Sequence, residues 1–353
     1  LLLFNRLDSR SKLVTERFHI AEWYGQPFLD LTPEQRVEFA QHKVGKHVMK
    51  KADINRRNQL TEKQAAQPLT EREAERLQAL NKLLANQEQH EKLCPFRTDI
   101  SHPTCTKPGG VCSLRLYTDA NGQFEAVTGE RGMVRAMCPY RFHQNNIAFR
   151  HIGNSLLQDP NPIQAGEVGF LESTGNLDSA PGEDVGRIDM ILVAGNRPAD
   201  AEMKWCAVEV QAVYFSGREM AIEFRDIIER KGEPAMPVEG RRPDYRSSGP
   251  KRLMPQLQIK VPTLRRWGKK MAILVDYAFF LSMGEMKQVE AISNCDVVWV
   301  LVDFVPSPDG GVYTTKVVKE FGTTLESAIE GLTGGQAVSL EEFEERIGGK
   351  ILT

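Results

Sequence analysis

Two stretches, Met271 to Tyr277 and Val297 to Phe304, are almost unbroken apolar runs of strand length, and they constrain the fold more than any other feature. Runs rich in Val, Ile and Leu without polar alternation suit strands covered on both faces, as at the centre of an α/β sheet. Val185 to Val193 and Trp205 to Tyr214 read as further strands, and Ser216 with Glu219 reads as a capping box for a helix carrying Met220, Phe224 and Ile227. A helix around Met286 to Ile292 is expected to separate the two apolar runs. The fold class that follows is α/β (α+β), a mixed sheet flanked by helices, over residues 161–353.

Residues 1–160 read differently. Ile20 to Gly25 suggests the end of a short helix, and Thr32-Pro33-Glu34-Gln35 supplies an N-cap, a first-turn proline and a capping-box glutamine for a helix to about His47. Thr70 and Glu73 form a second capping box, before a charged helix with Leu77, Leu80 and Leu84 on one face. The polar stretch between about Gly45 and Gln89 looks like an added helical hairpin. No run approaches the roughly 18 apolar residues of a membrane span, and Leu1 to Phe4 is too short for a signal-peptide core. A cytoplasmic protein without a membrane partner is expected.

Cys94 to Tyr140 is broken by Pro and Gly, so something other than an apolar core must hold it. Four of the six cysteines fall there, Cys94, Cys105, Cys112 and Cys138, separated by 10, 6 and 25 residues. Four thiolates can close a tetrahedral shell around zinc or iron, leaving no open position and hence a structural role. Cys94-Pro95-Phe96-Arg97 and Cys138-Pro139-Tyr140-Arg141 share one pattern, as if each turned the backbone the same way. The competing reading is four small buried hydrophobes. His102 could replace one ligand, though a surface position suits it better, and Cys206 and Cys295 read as packing residues in or beside strands.

Asp189 interrupts an apolar strand, and in Trp205 to Val213 the alternation puts Glu209 and Gln211 on one face, roughly 6.5 Å apart. Asp189 beside Glu209 on a neighbouring strand would make a carboxylate pair, which repels itself unless a cation such as Mg²⁺ lies between. Either acid alone is more simply a surface residue or, for Asp189, a partner of Arg187. The pattern matches the Asp…(Glu/Asp)-x-Lys layout of PD-(D/E)XK nucleases, with Gln211 in place of the Lys and Ile188 in place of the Pro before the Asp.

Net charge is −2, but Arg241 to Lys270 holds ten Lys or Arg against the single acid Asp244. Such a field attracts a polyanion, and Arg241, Arg242, Arg246, Lys251, Arg252, Arg265, Arg266 and Lys269 are the candidate contacts to it. The plainer reading is a solvated loop and helix face balanced by acids elsewhere.

Taken in order, these features resemble the NotI-type restriction endonucleases. The likeness runs through Ile20-Ala-Glu-Trp-Tyr-Gly, Leu93-Cys-Pro-Phe, Gly110-Val-Cys112, Cys138-Pro, Ile188-Asp-Met and Val208-Glu-Val-Gln-Ala to Phe215-Ser-Gly, covering about 19–304 apart from the helical insertion. The resemblance implies a PD-(D/E)XK nuclease core with glutamine in the motif, and magnesium at Asp189 and Glu209. It also implies iron, for which thiol chemistry allows zinc, at the four cysteines. A glutamate upstream of the Asp also belongs to that site, Glu167 being the first choice and Glu172 the second. It further implies a homodimer cutting double-stranded DNA at a palindromic, GC-rich site, functionally paired with a cognate DNA methyltransferase. A non-catalytic, metal-stapled DNA binder and a structure-selective repair nuclease are the competing functions.

Overall fold

The computed structural model describes residues 15–42, 51–90, 92–97, 104–120, 123–175, 178, 180–195, 202–308, 310–334 and 338–351. The chain forms two units that interleave along the sequence. The first comprises Leu1–Pro95, Asp99–Val134 and Phe215–Arg242; the second comprises Phe96–Thr98, Arg135–Tyr214 and Pro243–Thr353. This differs from consecutive domains split at residue 160, because Phe215–Arg242 belongs with the N-terminal segments.

The first unit is built on an antiparallel sheet of order β2-β1-β3-β4, with β1 Glu16–Trp23, β2 Gln26–Pro27, β3 Val111–Ala120 and β4 Gln123–Ala126. Ile20 to Trp23 is therefore strand, not the end of a helix. Phe18 to Trp23 is buried on both faces, which removes the alternation that would have marked it. Tyr24 (φ 46°) and Gly25 (φ 79°) turn the chain between Trp23 and Gln26, as a two-residue hairpin loop with two left-handed residues requires.

Thr32 caps the helix Pro33–Gln41 as its sequence dictates, with both capping-box hydrogen bonds formed. Residues 43–50, where this helix was expected to continue, lie outside the described residues. The helices Lys51–Ala66 and Glu71–His90 form the expected hairpin around Leu60, Leu77 and Leu80. In the first turn of the second of these helices Glu73 accepts from Lys63, the Thr70 backbone and the Thr70 hydroxyl, which together hold its carboxyl down at about 2.

Within the same unit, the Trp23 indole donates to the Gly109 carbonyl at 2.6 Å and stacks on Phe224, centroids 5.3 Å apart. Phe224 lies on the helix Ala221–Glu229, which lacks the side-chain cap expected from Ser216 and Glu219. Glu223 instead accepts from the Val238 and Glu239 amides, binding the returning loop to the helix.

His19 is buried against Phe28 and Tyr117, and its Nδ1 has no hydrogen-bond partner among the described residues. Burial, then the charges of Arg241 and Arg36, lower its pKa from 6.5 to about 3. The unfolded chain takes this proton near 6.5 and the folded chain only near 3. This group therefore removes up to about 1.4 kcal/mol of stability per pH unit as pH falls through that window, and nothing further below it. Urea unfolding across the window should show a shallower acid slope in His19→Gln than in wild type; equal slopes would refute the assignment.

The second unit carries a mixed sheet of order β11-β13-β12-β10-β9-β8-β5. Its strands are β5 Ile163–Ala165, β8 Met190–Val193, β9 Trp205–Val210, β10 Met271–Asp276, β11 Gln288–Val289, β12 Val297–Pro306 and β13 Tyr313–Thr323. The pairs β9/β10 and β10/β12 are parallel and the others antiparallel. β10 and β12, the two apolar runs, lie inside the sheet, and Met271 to Val275 and Val297 to Val302 have no exposed surface. The helices Met254–Arg266 and Leu325–Thr333 pack on one another beside the sheet. No helix forms over Met286 to Ile292: that stretch holds the edge strand β11, and Met286 fills the space left by the absent side chain of Gly331.

The repeated Cys-Pro-aromatic-Arg pattern has a structural meaning in this unit. Arg97 lies over the Tyr140 ring at 4.5 Å and Arg141 over the Phe96 ring at 4.6 Å, so each motif's guanidinium covers the other's aromatic. Arg141 has no exposed surface and donates to Gln144, Thr315 and the Tyr313 carbonyl.

Candidate active site

Asp189 occupies a bend, not the interior of a strand. The hairpin of β6 Val168–Glu172 and β7 Asp184–Ile188 forms a separate two-stranded sheet, and at Asp189 the chain passes from it into β8. The register of β8 and β9 pairs Met190 with Val208, and one further step sets Asp189 opposite Glu209. The Asp189 side chain is 57% exposed, whereas that of Glu209 is 6% exposed.

Both carboxylates share an ammonium group. Lys260 Nζ lies 2.7 Å from Glu209 Oε2 and 3.5 Å from Asp189 Oδ1, and its side chain is 3% exposed. Burial raises the Glu209 pKa to about 7 against the opposing charge of Lys260, and the nearby Asp189 raises it further through charge and a hydrogen bond. The cluster thus sets a buried carboxylate and a solvent-facing one around a single cation. That donor set fits magnesium, which takes one or two carboxylates and completes its shell with water and phosphate oxygens.

In the sequence Lys260 stands inside the basic run from Arg241 to Lys270. Its position held a clearer signal: Leu257, Val261 and Leu264 form the buried face of Met254–Arg266, and Lys260 falls on that same face. A lysine at a core position needs a buried counter-charge.

Gln211 follows β9 directly. It is buried, its backbone N–H bonds the Leu274 carbonyl, and its side-chain N–H donates to the Ala212 carbonyl at 2.6 Å. Glu167 faces Arg187 at 3.3 Å on the surface, and Glu172 is exposed on β6. No hydrogen bond or ion pair among the described residues joins either glutamate to the carboxylate pair.

The basic run is divided in its roles. Arg241, expected to meet phosphate, is instead buried and donates to the Arg218 and Glu219 carbonyls at 2.6 and 3.0 Å. Arg265 is bound to Asp296 and Glu326, and Lys269 lies over Trp205. Arg252 stacks on Tyr214, its guanidinium 3.7 Å from the ring centroid. In the second unit Arg246, Lys251, Arg252 and Arg266 are exposed, as is Arg242 in the first.

All six cysteines are buried thiols outside any disulfide. Pairing of Leu93 with Thr104, and the Cys105 amide bond to the Lys92 carbonyl, close the loop that carries Cys94 and Cys105. Cys105 Sγ faces the Lys107 carbonyl and Cys112 Sγ the Gly110 carbonyl. Gly110 has φ +68°, and a Cβ there would stand 2.2 Å from the Tyr24 ring, so this position two residues before Cys112 admits only glycine. Among the described residues no group of three or more His, Cys, Asp or Glu side chains that could hold a metal ion is found. His102 lies outside the described residues.

Among the described residues no helix is long and apolar enough to cross a membrane. No curated protein matches the chain. The family model for restriction endonuclease NotI matches residues 78–315, a span that takes in Cys94 to Cys138, the Asp189 and Glu209 pair and Lys260. With more than half of its length matched, the chain belongs to the NotI restriction endonuclease family.

Proposed function

We propose that this restriction endonuclease is a type II enzyme of the PD-(D/E)XK kind, cutting double-stranded DNA with magnesium at a palindromic, GC-rich site. The observation that carries this reading is the pairing of Asp189 with Glu209 around one shared positive charge. Asp189 and Glu209 would hold the magnesium, and Asp189 is open to an incoming phosphodiester. When bound, the ion supplies charge neutralisation and water activation at the scissile phosphate. Gln211 has an amide that stays neutral at every working pH; with one N–H committed to Ala212, its oxygen can orient a water but takes no proton.

Arg246, Lys251, Arg252 and Arg266 would contact backbone phosphates, which fix register without reading sequence. A palindrome calls for a homodimer, since two equivalent strands are met by two symmetric subunits. A host carrying such an enzyme needs a methyltransferase that protects the same site. Incubation with plasmid DNA and Mg²⁺ should give discrete fragments with one common end sequence; a smear, or cutting only at nicks and branches, would refute site specificity.

The four cysteines Cys94, Cys105, Cys112 and Cys138 are assigned to a structural iron or zinc, supported by their burial as thiols in the segment that carries the family resemblance. Elemental analysis of the purified protein should find one such ion per chain, and its removal by a strong chelator should lower the melting temperature. Retention of the ion by Cys112→Ser together with Cys138→Ser would overturn the assignment.

A further inference from the structure

We propose that Lys260 is a positioning residue, the built-in cation that holds Glu209 beside Asp189 before a divalent ion binds and that must release Glu209 for the ion to enter. The inference rests on the reading of Asp189 and Glu209 as the metal-holding pair. Its basis is geometric: Nζ stands 2.7 Å from Glu209 Oε2 and 3.5 Å from Asp189 Oδ1. A magnesium ion sits about 2.0–2.1 Å from its carboxylate oxygens, so an ion bridging this pair would overlap the space the ammonium fills and be repelled by its charge.

The surroundings allow the exchange. Lys260 reaches the pair from a helix, on a long side chain that can change rotamer without moving the strands. Asp189 is the solvent-facing partner, so an ammonium leaving Glu209 can stay near the outer side of the pair, where an incoming phosphodiester carries negative charge. Gln211, the next polar residue after Glu209, is neutral and supplies no competing cation. Loading a metal therefore replaces one charge by two at Glu209 and hands the lysine to the substrate side. This couples metal occupancy to the presence of DNA, because the released ammonium is best stabilised when phosphate is there to receive it.

The test is divalent-ion binding to DNA-free protein at fixed pH, by calorimetry with Mg²⁺ and Mn²⁺. Lys260→Met should bind at least tenfold more tightly than wild type while cleaving more slowly at saturating metal, and Lys260→Arg should keep metal affinity within about threefold of wild type. Unchanged or weaker binding by Lys260→Met overturns the proposal while leaving the active-site reading intact, provided Asp189→Asn abolishes binding. If wild type binds no divalent ion with DNA or without it, the active-site reading fails and takes this inference with it. A measurement on wild type alone guards against a misfolded variant: amine-reactive labelling read by mass spectrometry should rise at Lys260 several-fold when Ca²⁺ is added. Labelling that is indifferent to saturating Ca²⁺ would equally refute the exchange.

Discussion

Asp189→Ala should leave duplex binding within about threefold of wild type and slow cleavage by at least about a thousandfold, the scale expected when charge stabilisation at a reacting phosphate is removed. The structure explains why the two quantities should separate. The Asp189 side chain is more than half exposed, and its removal leaves the bond between Lys260 and Glu209 intact, so the melting temperature should hardly move. Glu209→Ala is not an equivalent experiment. It would strand a buried ammonium without its partner and cost about 3–5 kcal/mol of stability, confounding the activity measurement. Gel-shift binding in Ca²⁺ and cleavage in Mg²⁺, measured on one preparation of Asp189→Ala, decide the matter. Parallel loss of both would make Asp189 a structural residue and remove it from the proposed chemistry.

Arg141→Met should be the most damaging single substitution outside the site, costing about 3–5 kcal/mol, because it breaks a buried charged hydrogen-bond network and leaves acceptors unsatisfied. Arg141 is sandwiched between Phe96 and Phe304, at 4.6 and 4.2 Å from their centroids, while its N–H groups reach Gln144, Thr315 and Tyr313. Methionine keeps the bulk and the contact with the rings but supplies no donor. Chemical denaturation should show the loss directly, and the melting temperature of the unit should fall by about 10 °C. A change below about 1 kcal/mol would show that Gln144, which also donates to the Tyr313 carbonyl, takes over the network.

The parts of this molecule that could be read from its residues are those where one physical effect dominates. Burial on both faces marked Met271 to Tyr277 and Val297 to Phe304 as central strands, and they occupy the middle of the sheet. Local hydrogen-bonding capacity marked Thr32 and Gln35, and both cap bonds formed. An acid in an apolar setting marked Asp189 and Glu209, which the structure brings to one lysine.

The misread parts are those where long-range partners decide. Phe18 to Trp23 became a strand because Val111–Ala120 lies against it, and no periodicity within six buried residues distinguishes strand from helix. Arg241 and Lys260 looked like two charges in a basic surface, yet each turns inward to acceptors distant in sequence: the Arg218 and Glu219 carbonyls, and Glu209. Charge counting locates cations along a chain; it does not say which of them face water.

The order of segments along the chain bears on how such an enzyme could be altered. Glu209 and Gln211 lie on one side of Phe215–Arg242 and Lys260 on the other, and that intervening stretch folds with the N-terminal segments. A recombination joining a new front half at residue 160 would leave Phe215–Arg242 without the partners it packs against, while still covalently linking the two halves of the reaction centre. Shuffling of whole modules is thereby penalised, and a change of target preference in a lineage built this way should accumulate through substitutions scattered over exposed side chains.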